Sequence, residues 1–463
     1  MNNPLSDLPN MNDLLEHALF NGISRERVKE AARETLDELR SSIQSDETKE
    51  LPGLDECAEL ALAKINLSAR NLRRLINATG VVLHTNLGRA PLGAEMLSAA
   101  AETCAGYCNL EYDLETGRRG SRYAHVEGLI RQLTDTEAAM VVNNNAAAMV
   151  LMLGALAKGK KVAISRGELV EIGGSFRIPE IITQSGAELI EVGTTNKTRL
   201  SDYIDAVDKK GAQVLLKVHT SNFEIIGFAE SVSVTELAAL GRSVGLPILY
   251  DMGSCFLVKP ERFGFHAGET AESGIATGAD VICFSGDKLM GSAQAGILAG
   301  RADFIAAMKR HPLARALRPD KLSLSLLETA LRMYKYPNEA AMRIPALTML
   351  FADPEKLKLR AESLAARLRD VLEGWSVEVR EALDETGGGS LPNVPLPGWT
   401  VALWSETMSA NEFESRLRRG NMPVIVRIHD DEALISPRTL MPDDDDILVE
   451  SVTDAVRKLK IDN

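Results

Sequence analysis

Cysteine is scarce in this sequence, and long apolar runs are absent. The chain has 463 residues and an odd number of cysteines, which are scattered along it: Cys57, Cys104, Cys108, Cys255 and Cys283. This spacing argues against a disulfide framework and indicates a reducing compartment. No window of about 18 apolar residues occurs, so we expect no membrane span. Residues 1–20 lack a basic start followed by an apolar run, so we expect no signal peptide and predict a cytoplasmic protein.

Positive charge is also in deficit. Lys and Arg number 52 against 65 Asp and Glu, a formal net charge of −13. Such a chain has no general attraction to nucleic acid, so any RNA contact must come from a local basic patch. Metal ligands are lacking as well. His84 has no nearby Cys or His at ligand spacing, and Cys104 and Cys108 share a helix face without two further ligands, so we predict no metal site.

Residues 1–75 have a pattern of their own. Met11–Leu19 and Ser24–Ile43 read as amphipathic helices, with Ser24 as the N-cap of the second. After an acidic break, a third helix is predicted from Leu54 to about Leu75. The sequence therefore predicts a small helical domain, and its residues alone leave open whether it packs against another subunit or binds a partner.

From residue 76 to residue 321, short apolar runs alternate with helical stretches. The predicted strands are Ala138–Val142, Lys161–Ile164, Glu188–Val192, Val214–Val218, Ile248–Asp251 and Val281–Phe284. The predicted helices between them are Ala146–Ala157, Gly173–Gln184, Ser201–Lys210 and one that Ser233 and Glu236 open as a capping box. This alternation predicts an α/β domain with a doubly wound, mostly parallel sheet.

Residues 322–463 predict a smaller α+β domain. It begins with a helix over Leu322–Tyr336, contains a glycine-rich turn at 387–390, and ends in a helix over Asp445–Lys460.

The candidate site residues follow the predicted strands, where ligands of such sheets bind. Asn143, Asn144, Asn145 and Ala146 follow the first strand and open a helix, which suits a phosphate. His219 to Asn222 follow the fourth strand, Asp251 ends the fifth, and Ser285 and Lys288 follow the sixth. A buried carboxylate suits a protonated pyridine nitrogen, a lysine suits an aldehyde, and the Ser285 hydroxyl suits a phosphate. Together these predict a pyridoxal 5′-phosphate (PLP) site with Lys288 as the Schiff-base lysine.

Several arginines lie in loops with glycine or proline. Arg89 follows Gly88, Arg122 belongs to a group with Arg118 and Arg119 around Gly120, and Arg315 and Arg318 precede Pro319. Arginine captures oxyanions through paired N–H donors. We interpret Arg89 as functional and the pair Arg118 and Arg119 as surface residues. For His84, ring stacking, acid–base chemistry and a structural role all stay open.

Several segments resemble bacterial selenocysteine synthases, the L-seryl-tRNA(Sec) selenium transferases. The similar segments are 76–92, 109–122, 166–179, 284–289, 314–318 and 387–392. The resemblance implies the aminotransferase-like fold of PLP fold type I and a homodecamer whose N-terminal domains hold tRNA(Sec). It implies that Lys288 binds PLP and that Arg89, Arg315 and Arg318 bind the phosphate of selenophosphate, with His84 and Arg122 as further substrate-binding candidates. Met290, Ser292 and Ala293 depart from the family pattern in the loop that follows the lysine.

The activity that the resemblance implies is the conversion of seryl-tRNA(Sec) to selenocysteinyl-tRNA(Sec) through a PLP-bound aminoacrylate. Asp251 would keep the ring an electron sink. Two alternatives remain. One is a PLP lyase acting on a small amino acid or amino sugar phosphate, for which the helical domain 1–75 has no use. The other is a PLP-binding or RNA-binding protein without catalysis, in which Lys288 would be idle.

Overall fold

The computed structural model describes residues 8–44, 52–68, 71–174 and 176–457. The chain divides into two compact units. One contains Met1–Gly80, Pro354–Ala382 and Pro397–Asn463, and the other contains Val81–Asp353 and Leu383–Leu396. We call them the split unit and the central unit. The three domains predicted from the sequence, with boundaries at residues 75 and 321, stay a prediction, because the two compact units are each made of several chain segments.

The α-helices are given in chain order. They are α1 (Met11–Leu15), α2 (Arg25–Gln44), α3 (Leu54–Ser68), α4 (Ala94–Ala105), α5 (Ala124–Thr134), α6 (Asn145–Leu156), α7 (Ile178–Gln184), α8 (Leu200–Asp208), α9 (Val234–Val244), α10 (Ala271–Ala276), α11 (Ala302–Arg310), α12 (Leu313–Ala316), α13 (Lys321–Tyr334), α14 (Pro337–Arg343), α15 (Pro345–Leu350), α16 (Pro354–Val371), α17 (Ala410–Arg418) and α18 (Asp444–Arg457). In the part of the chain described, none of them combines the length and apolar character needed to cross a bilayer.

The β-strands follow the same convention. They are β1 (Ile76–Asn77), β2 (Ala138–Val142), β3 (Lys161–Ser165), β4 (Glu171–Ile172), β5 (Phe176–Arg177), β6 (Glu188–Val192), β7 (Val214–Val218), β8 (Ile248–Gly253), β9 (Val281–Ser285), β10 (Gly296–Gly300), β11 (Ser376–Glu385), β12 (Pro395–Trp404), β13 (Val424–Ile425), β14 (Arg427–His429) and β15 (Glu432–Ile435).

The central unit is built on a sheet of seven described strands. Their order is β2, β10, β9, β8, β7, β3, β6. The pairs from β9 to β6 are parallel, whereas β10 runs antiparallel to both of its neighbours. Strands β2, β8, β9 and β10 are buried along their whole length, as in a sheet covered by helices on both faces. The predicted doubly wound α/β sheet is confirmed, and its six predicted strands all form.

The capping predictions are also confirmed. The Ser233 hydroxyl accepts a hydrogen bond from the Glu236 N–H, and the Glu236 carboxylate accepts one from the Ser233 N–H, which opens α9. In the split unit, the Ser24 hydroxyl accepts from the Arg27 N–H at the start of α2. In both cases a side-chain oxygen satisfies an N–H that has no partner within the helix.

The structure differs from the prediction in several elements, including the first helix, which ends at Leu15 and is followed by a 3₁₀ turn over Ala18–Phe20. The helix predicted over Gly173–Gln184 is a β4–β5 hairpin followed by α7. Gly173 and Gly174 have positive φ, which stops a helix, and Pro179 suits a helix start. The third N-terminal helix ends at Ser68, so residues 71–75 are not helical. The antiparallel strand β10 was not predicted. The end of the last predicted helix, beyond Arg457, lies outside the described residues.

Each unit has its own apolar packing. In the central unit, α6, α7 and α11 cover the buried strands, with Met149, Met152 and Ile305 fully buried. In the split unit, α16, α17 and α18 pack on the strands that include β12 and β15. The N-terminal helices α1 to α3 have a separate cluster, whose buried residues include Leu14, Leu36 and Ala58.

Candidate active site

Lys288 lies in the loop between β9 and β10. The Gly286 N–H donates to the Ala295 carbonyl at 2.9 Å, so the two strands continue their pairing at the base of the loop. Within the loop, the Ser292 N–H donates to Gly286 and the Gly291 N–H donates to Lys288. The paired strands β9 and β10 thus hold both ends of the loop that carries the lysine.

Two side chains from elsewhere in the central unit support the same loop. The Tyr334 hydroxyl of α13 donates to the Met290 carbonyl at 2.7 Å, and Tyr334 is fully buried. The Ser254 hydroxyl accepts from the Leu289 N–H at 3.2 Å. The loop residues 289 and 290 are therefore fixed by side chains that follow β8 and end α13.

The Lys288 amine is buried and electrostatically unfavourable as a cation. Only 4% of the residue is exposed. Burial lowers its pKa and the positive charge of Arg89 lowers it further, while Asp251 and Asp287 act in the opposite direction. Its nitrogen lies 3.5 Å from the Gly389 carbonyl oxygen. A lysine in these surroundings keeps a larger neutral fraction than a solvated one, and the neutral amine is the nucleophile.

Asp251 is buried, with 1% exposed, on β8. Its Oδ1 accepts hydrogen bonds from Asn145 Nδ2 at 2.8 Å and from the Gly253 N–H at 2.9 Å, and the Cys283 thiol lies 3.6 Å away. Burial raises the pKa of this carboxyl, and the hydrogen bonds from Asn145 and Gly253 offset part of that rise. These donors are neutral and do not balance the negative charge of the carboxylate. A cationic partner such as a protonated ring nitrogen would balance it.

The asparagine run forms the start of α6. The Asn144 side chain caps the helix by accepting from the Ala147 N–H at 2.8 Å. Asn145 and Ala146 occupy the first turn, where backbone N–H groups have no acceptor inside the helix and point toward an anion. The neighbouring strand approaches closely, because a β-carbon at Gly296 would lie 2.1 Å from the Asn144 carbonyl oxygen. We call residues 143–146 at the start of α6 the asparagine cradle, and the Asn145 side chain links it to Asp251.

Arg89 is held in an uncommon backbone conformation. It has φ 63° and follows Gly88 at φ 91°, after a short 3₁₀ turn over Thr85–Leu87. Its guanidinium pairs with the Asp287 carboxylate at 3.0 Å, next to Lys288 in sequence. A left-handed arginine costs on the order of 1 kcal/mol or more, so its persistence favours a functional role. His84 lies five residues earlier and accepts the Arg89 N–H through its carbonyl.

The other predicted arginines lie around Glu111. Arg122 donates to the Glu111 carboxylate and to the Pro319 carbonyl, and only 11% of its side chain is exposed. Arg318 lies 3.9 Å from the same carboxylate. Arg315 is exposed on α12, and the Leu317 carbonyl that follows accepts the Asn143 N–H at 2.8 Å. Arg315 and Arg318 are therefore connected through the backbone to the asparagine cradle, and Arg122 anchors the 111 and 319 segments to each other.

The remaining predicted residues lie in three places. His219 follows β7, and its backbone N–H donates to the backbone carbonyl of Asp251. Burial lowers the pKa of its imidazole. Ser285 is the last residue of β9 and is buried. Asn222 is exposed, and its side chain donates to the Glu171 carbonyl at 2.9 Å, so it braces a loop in this structure.

Unpartnered polar atoms test whether the site fits a cofactor. Among the described residues, His84 Nδ1, Asn145 Oδ1 and His219 Nδ1 are buried without a hydrogen-bond partner. Buried polar atoms are nearly always paired, so these three atoms point to a polar ligand. With the Lys288 amine, the Asp251 carboxylate and the open first turn of α6, they fit PLP.

Sequence reasoning gave no role to three residues at this site. Asp287 pairs with Arg89, the Cys283 thiol contacts Asp251, and Gly389 lies next to the lysine. The position of Asp287 directly before Lys288 could have marked it as a site residue. No feature of the sequence indicates that Gly389, 101 residues away, approaches the lysine.

Comparison with known proteins gives a consistent result along the chain. Residues 75–441 match the family model described as L-seryl-tRNA selenium transferase. The L-seryl-tRNA(Sec) selenium transferase of Moorella thermoacetica is 47% identical over 459 residues, covering 98% of this chain and 97% of the relative. The protein of that name from Geobacter sulfurreducens is 44% identical, covering 98% of this chain and 99% of the relative.

A solved structure is similar in fold. D-glucosaminate-6-phosphate ammonia-lyase matches with a TM-score of 0.58 and 18% identity, covering 85% of this chain and 98% of that one. At this identity the likeness shows the fold alone.

Proposed function

The chain belongs to the L-seryl-tRNA selenium transferase family, and on that premise we propose that it converts L-seryl-tRNA(Sec) to L-selenocysteinyl-tRNA(Sec) with Lys288 as the PLP-binding residue. The observation that supports this most is the buried Lys288 amine with its lowered pKa, next to the Arg89–Asp287 pair. The enzyme is a PLP-dependent transferase.

PLP, when bound, supplies a ring that stabilises negative charge at the seryl Cα. Lys288 would hold the aldehyde carbon of PLP, and Asp251 would keep its ring nitrogen protonated. Asn145 orients Asp251, and the first turn of α6 with Ser285 would hold the phosphate. His219 would line the cofactor site from the end of β7. The Lys288 amine would take the Cα proton and pass it to the serine hydroxyl, which leaves Cβ as water.

The selenium donor in this proposal is selenophosphate. Arg89, Arg315 and Arg318 bind its oxyanion. His84 and Arg122 are further substrate-binding residues in this proposal. Selenium forms a bond to Cβ, a proton returns to Cα, and water cleaves the P–Se bond to release phosphate. Because the substrate's carboxyl is an ester, this site needs no arginine to clamp a free α-carboxylate.

The partners follow the same proposal. Residues 1–75 bind tRNA(Sec), as the family resemblance implies. In agreement with a separate role, α1 to α3 have a core of their own, and the residues that form the site lie in the central unit. The chain assembles as a homodecamer in the cytoplasm.

The test uses the purified protein with PLP, selenophosphate and seryl-tRNA(Sec). We expect a visible absorbance band that borohydride removes, and selenocysteinyl-tRNA as the product. Lys288→Ala should lose both the band and the product. A protein that shows the band but releases ammonia from a small amino acid, leaving seryl-tRNA unchanged, would be a lyase and would contradict the proposal.

A further inference from the structure

A cavity lies on the Gly389 side of Lys288. It has a volume of about 530 Å³ and is lined by residues 383–395 together with Ser221 and Asn222. All of these residues belong to the central unit. The volume falls within the roughly 300–1,000 Å³ that small-molecule sites occupy. The mechanism above assigns nothing to this cavity.

Three hydroxyls of the cavity wall are unsatisfied. Ser221, Thr386 and Ser390 are 2%, 1% and 4% exposed, and their side-chain oxygens have no hydrogen-bond partner among the described residues. Buried hydroxyls are nearly always paired, so three unpaired ones around one cavity indicate a ligand that hydrogen-bonds to them.

The charge of the wall selects the kind of ligand. None of the lining residues described is a lysine or arginine, whereas Asp384 and Glu385 contribute carboxyl groups. An oxyanion such as selenophosphate would meet no cation here and would lie near like charge. Hydroxyls, the asparagine amides of Asn222 and Asn393, and a glycine-rich backbone instead suit a neutral ligand rich in hydroxyl and amide groups.

The cavity is next to the reactive amine. Gly389 has φ 69°, and a β-carbon there would lie 3.6 Å from Lys288 Nζ and 3.7 Å from Ser221 Oγ. Gly387 and Gly388 also have positive φ, at 74° and 60°. The loop therefore brings bare backbone between the lysine and the unpaired hydroxyls, so that a substrate bound at Lys288 can extend into the cavity.

We propose that this cavity binds the ribose and ester of the 3′-terminal nucleoside of the aminoacyl-tRNA, with Ser221, Thr386 and Ser390 as its hydrogen-bonding residues. The inference rests on the proposed function, in which the seryl group carries that nucleoside as an ester on its carboxyl carbon, one bond from the Cα that reacts. A neutral sugar with hydroxyls meets the chemistry of the wall.

The experiment is a binding cycle on the full-length protein with PLP. Uncharged tRNA(Sec), intact or lacking its 3′-terminal nucleoside, is titrated against the wild type and against the triple variant Ser221→Ala, Thr386→Val, Ser390→Ala. In the wild type, loss of the nucleoside should weaken binding about tenfold, as expected for a few neutral hydrogen bonds. In the triple variant both RNAs should bind equally. Ser292→Ala removes a buried unpaired hydroxyl outside the cavity wall and should leave the wild-type difference intact.

Steady-state kinetics supply an independent measurement. The triple variant should raise KM for seryl-tRNA(Sec) with the KM for selenophosphate and the lysine–PLP band unchanged. A raised KM for selenophosphate alone, or an equal effect of nucleoside removal in wild type and variant, would overturn the proposal. If the triple variant loses its circular dichroism signal, Ser390→Ala is measured alone, with the same two criteria.

The two hypotheses fail separately. A wild type that makes no selenocysteinyl-tRNA but still shows the nucleoside-dependent difference would refute the proposed function and keep the subsite. Normal product formation without that difference would refute the subsite alone.

Discussion

At the scale of single residues, burial is the main cause of the lowered pKa of Lys288, and the nearby charges adjust it. Arg89 disfavours the ammonium form, while Asp251 and Asp287, the partner of Arg89, favour it. The arginine thus has two roles, because the cation that binds the donor's phosphate in the proposed function also lowers the pKa of the lysine.

Arg89→Met should shift the pH dependence of cofactor binding upward. Removing the positive charge raises the pKa of Lys288, so the neutral amine appears only at higher pH. The measurement is the rate at which cofactor-free protein develops the lysine–PLP band as a function of pH. The matched control is Arg118→Met, an exposed arginine, whose profile should equal that of the wild type. An unchanged or lowered midpoint in Arg89→Met would show that the charge does not act on the lysine.

Asp251→Asn should separate cofactor binding from turnover. The amide keeps the shape of the side chain but cannot hold a proton on the ring nitrogen, so kcat should fall on the order of 100-fold or more. The band of the lysine-bound cofactor should remain, because Lys288 and the α6 cradle are untouched. Product formation near the wild-type rate would contradict the assigned role.

At the scale of elements, the glycine loop at 387–389 depends on close contact with the segment that begins at Val81. The Leu83 N–H donates to the Thr386 carbonyl at 2.7 Å, and the Val82 N–H donates to the Glu385 carbonyl at 3.0 Å. A β-carbon at Gly388 would lie 2.3 Å from the Leu83 carbonyl oxygen. These contacts join the cavity wall to the backbone segment that carries His84 and Arg89.

Gly388→Ala should therefore lower the unfolding free energy of the central unit by more than the strain of a positive φ accounts for. Gly211→Ala is the matched control, because Gly211 has φ 73° and open space around it. Both variants should lose about 1 kcal/mol of unfolding free energy from the backbone conformation. Gly388→Ala should lose roughly 1–3 kcal/mol more from overpacking. Denaturant titration measures the difference, and equal losses would mean that the loop is not packed against Leu83.

The sequence predicted the sheet well because its strands are short, rich in apolar residues and bounded by turn residues. It missed β10, whose sequence Gly-Ile-Leu-Ala-Gly has one β-branched residue and no polar alternation. It also extended a helix over Gly173 and Gly174, although Pro179 marks the true start. Site residues at strand ends were predictable from topology. The cavity wall was not, because it depends on residues 383–395 folding back onto Ser221, a contact between distant parts of the sequence.

At the scale of the whole molecule, a chain with net charge −13 must bind RNA through a local surface. The N-terminal helices have a core separate from the rest of the split unit, and the residues of the candidate site belong to the central unit. Recognition of the RNA and chemistry at the lysine are therefore expected to respond to different changes.

Removing residues 1–70 should abolish tRNA binding and leave the lysine–PLP band intact. The helical cluster is lost, while Lys288, Asp251 and the asparagine cradle remain. Filter binding and visible absorbance on the same preparation provide the two measurements. Unchanged tRNA affinity would refute the assignment of this region to RNA, and a lost band would mean that the central unit needs these residues to fold.

The β9–β10 hairpin also bears on how the molecule folds. Parallel strands such as β7 and β8 pair only after a long crossover, and contacts of that kind form slowly. The loop that carries Lys288 closes between the paired residues Ser285 and Gly296, which are close in sequence, but Ser254 and Tyr334 also hold it from distant parts of the chain. The hairpin can therefore pair early, whereas the contacts with Ser254 and Tyr334 and the burial that lowers the pKa of Lys288 arise only when the sheet has assembled. In a nascent chain Lys288 would be an ordinary solvated lysine, so the order of folding delays its reaction with aldehydes until the surrounding site has formed.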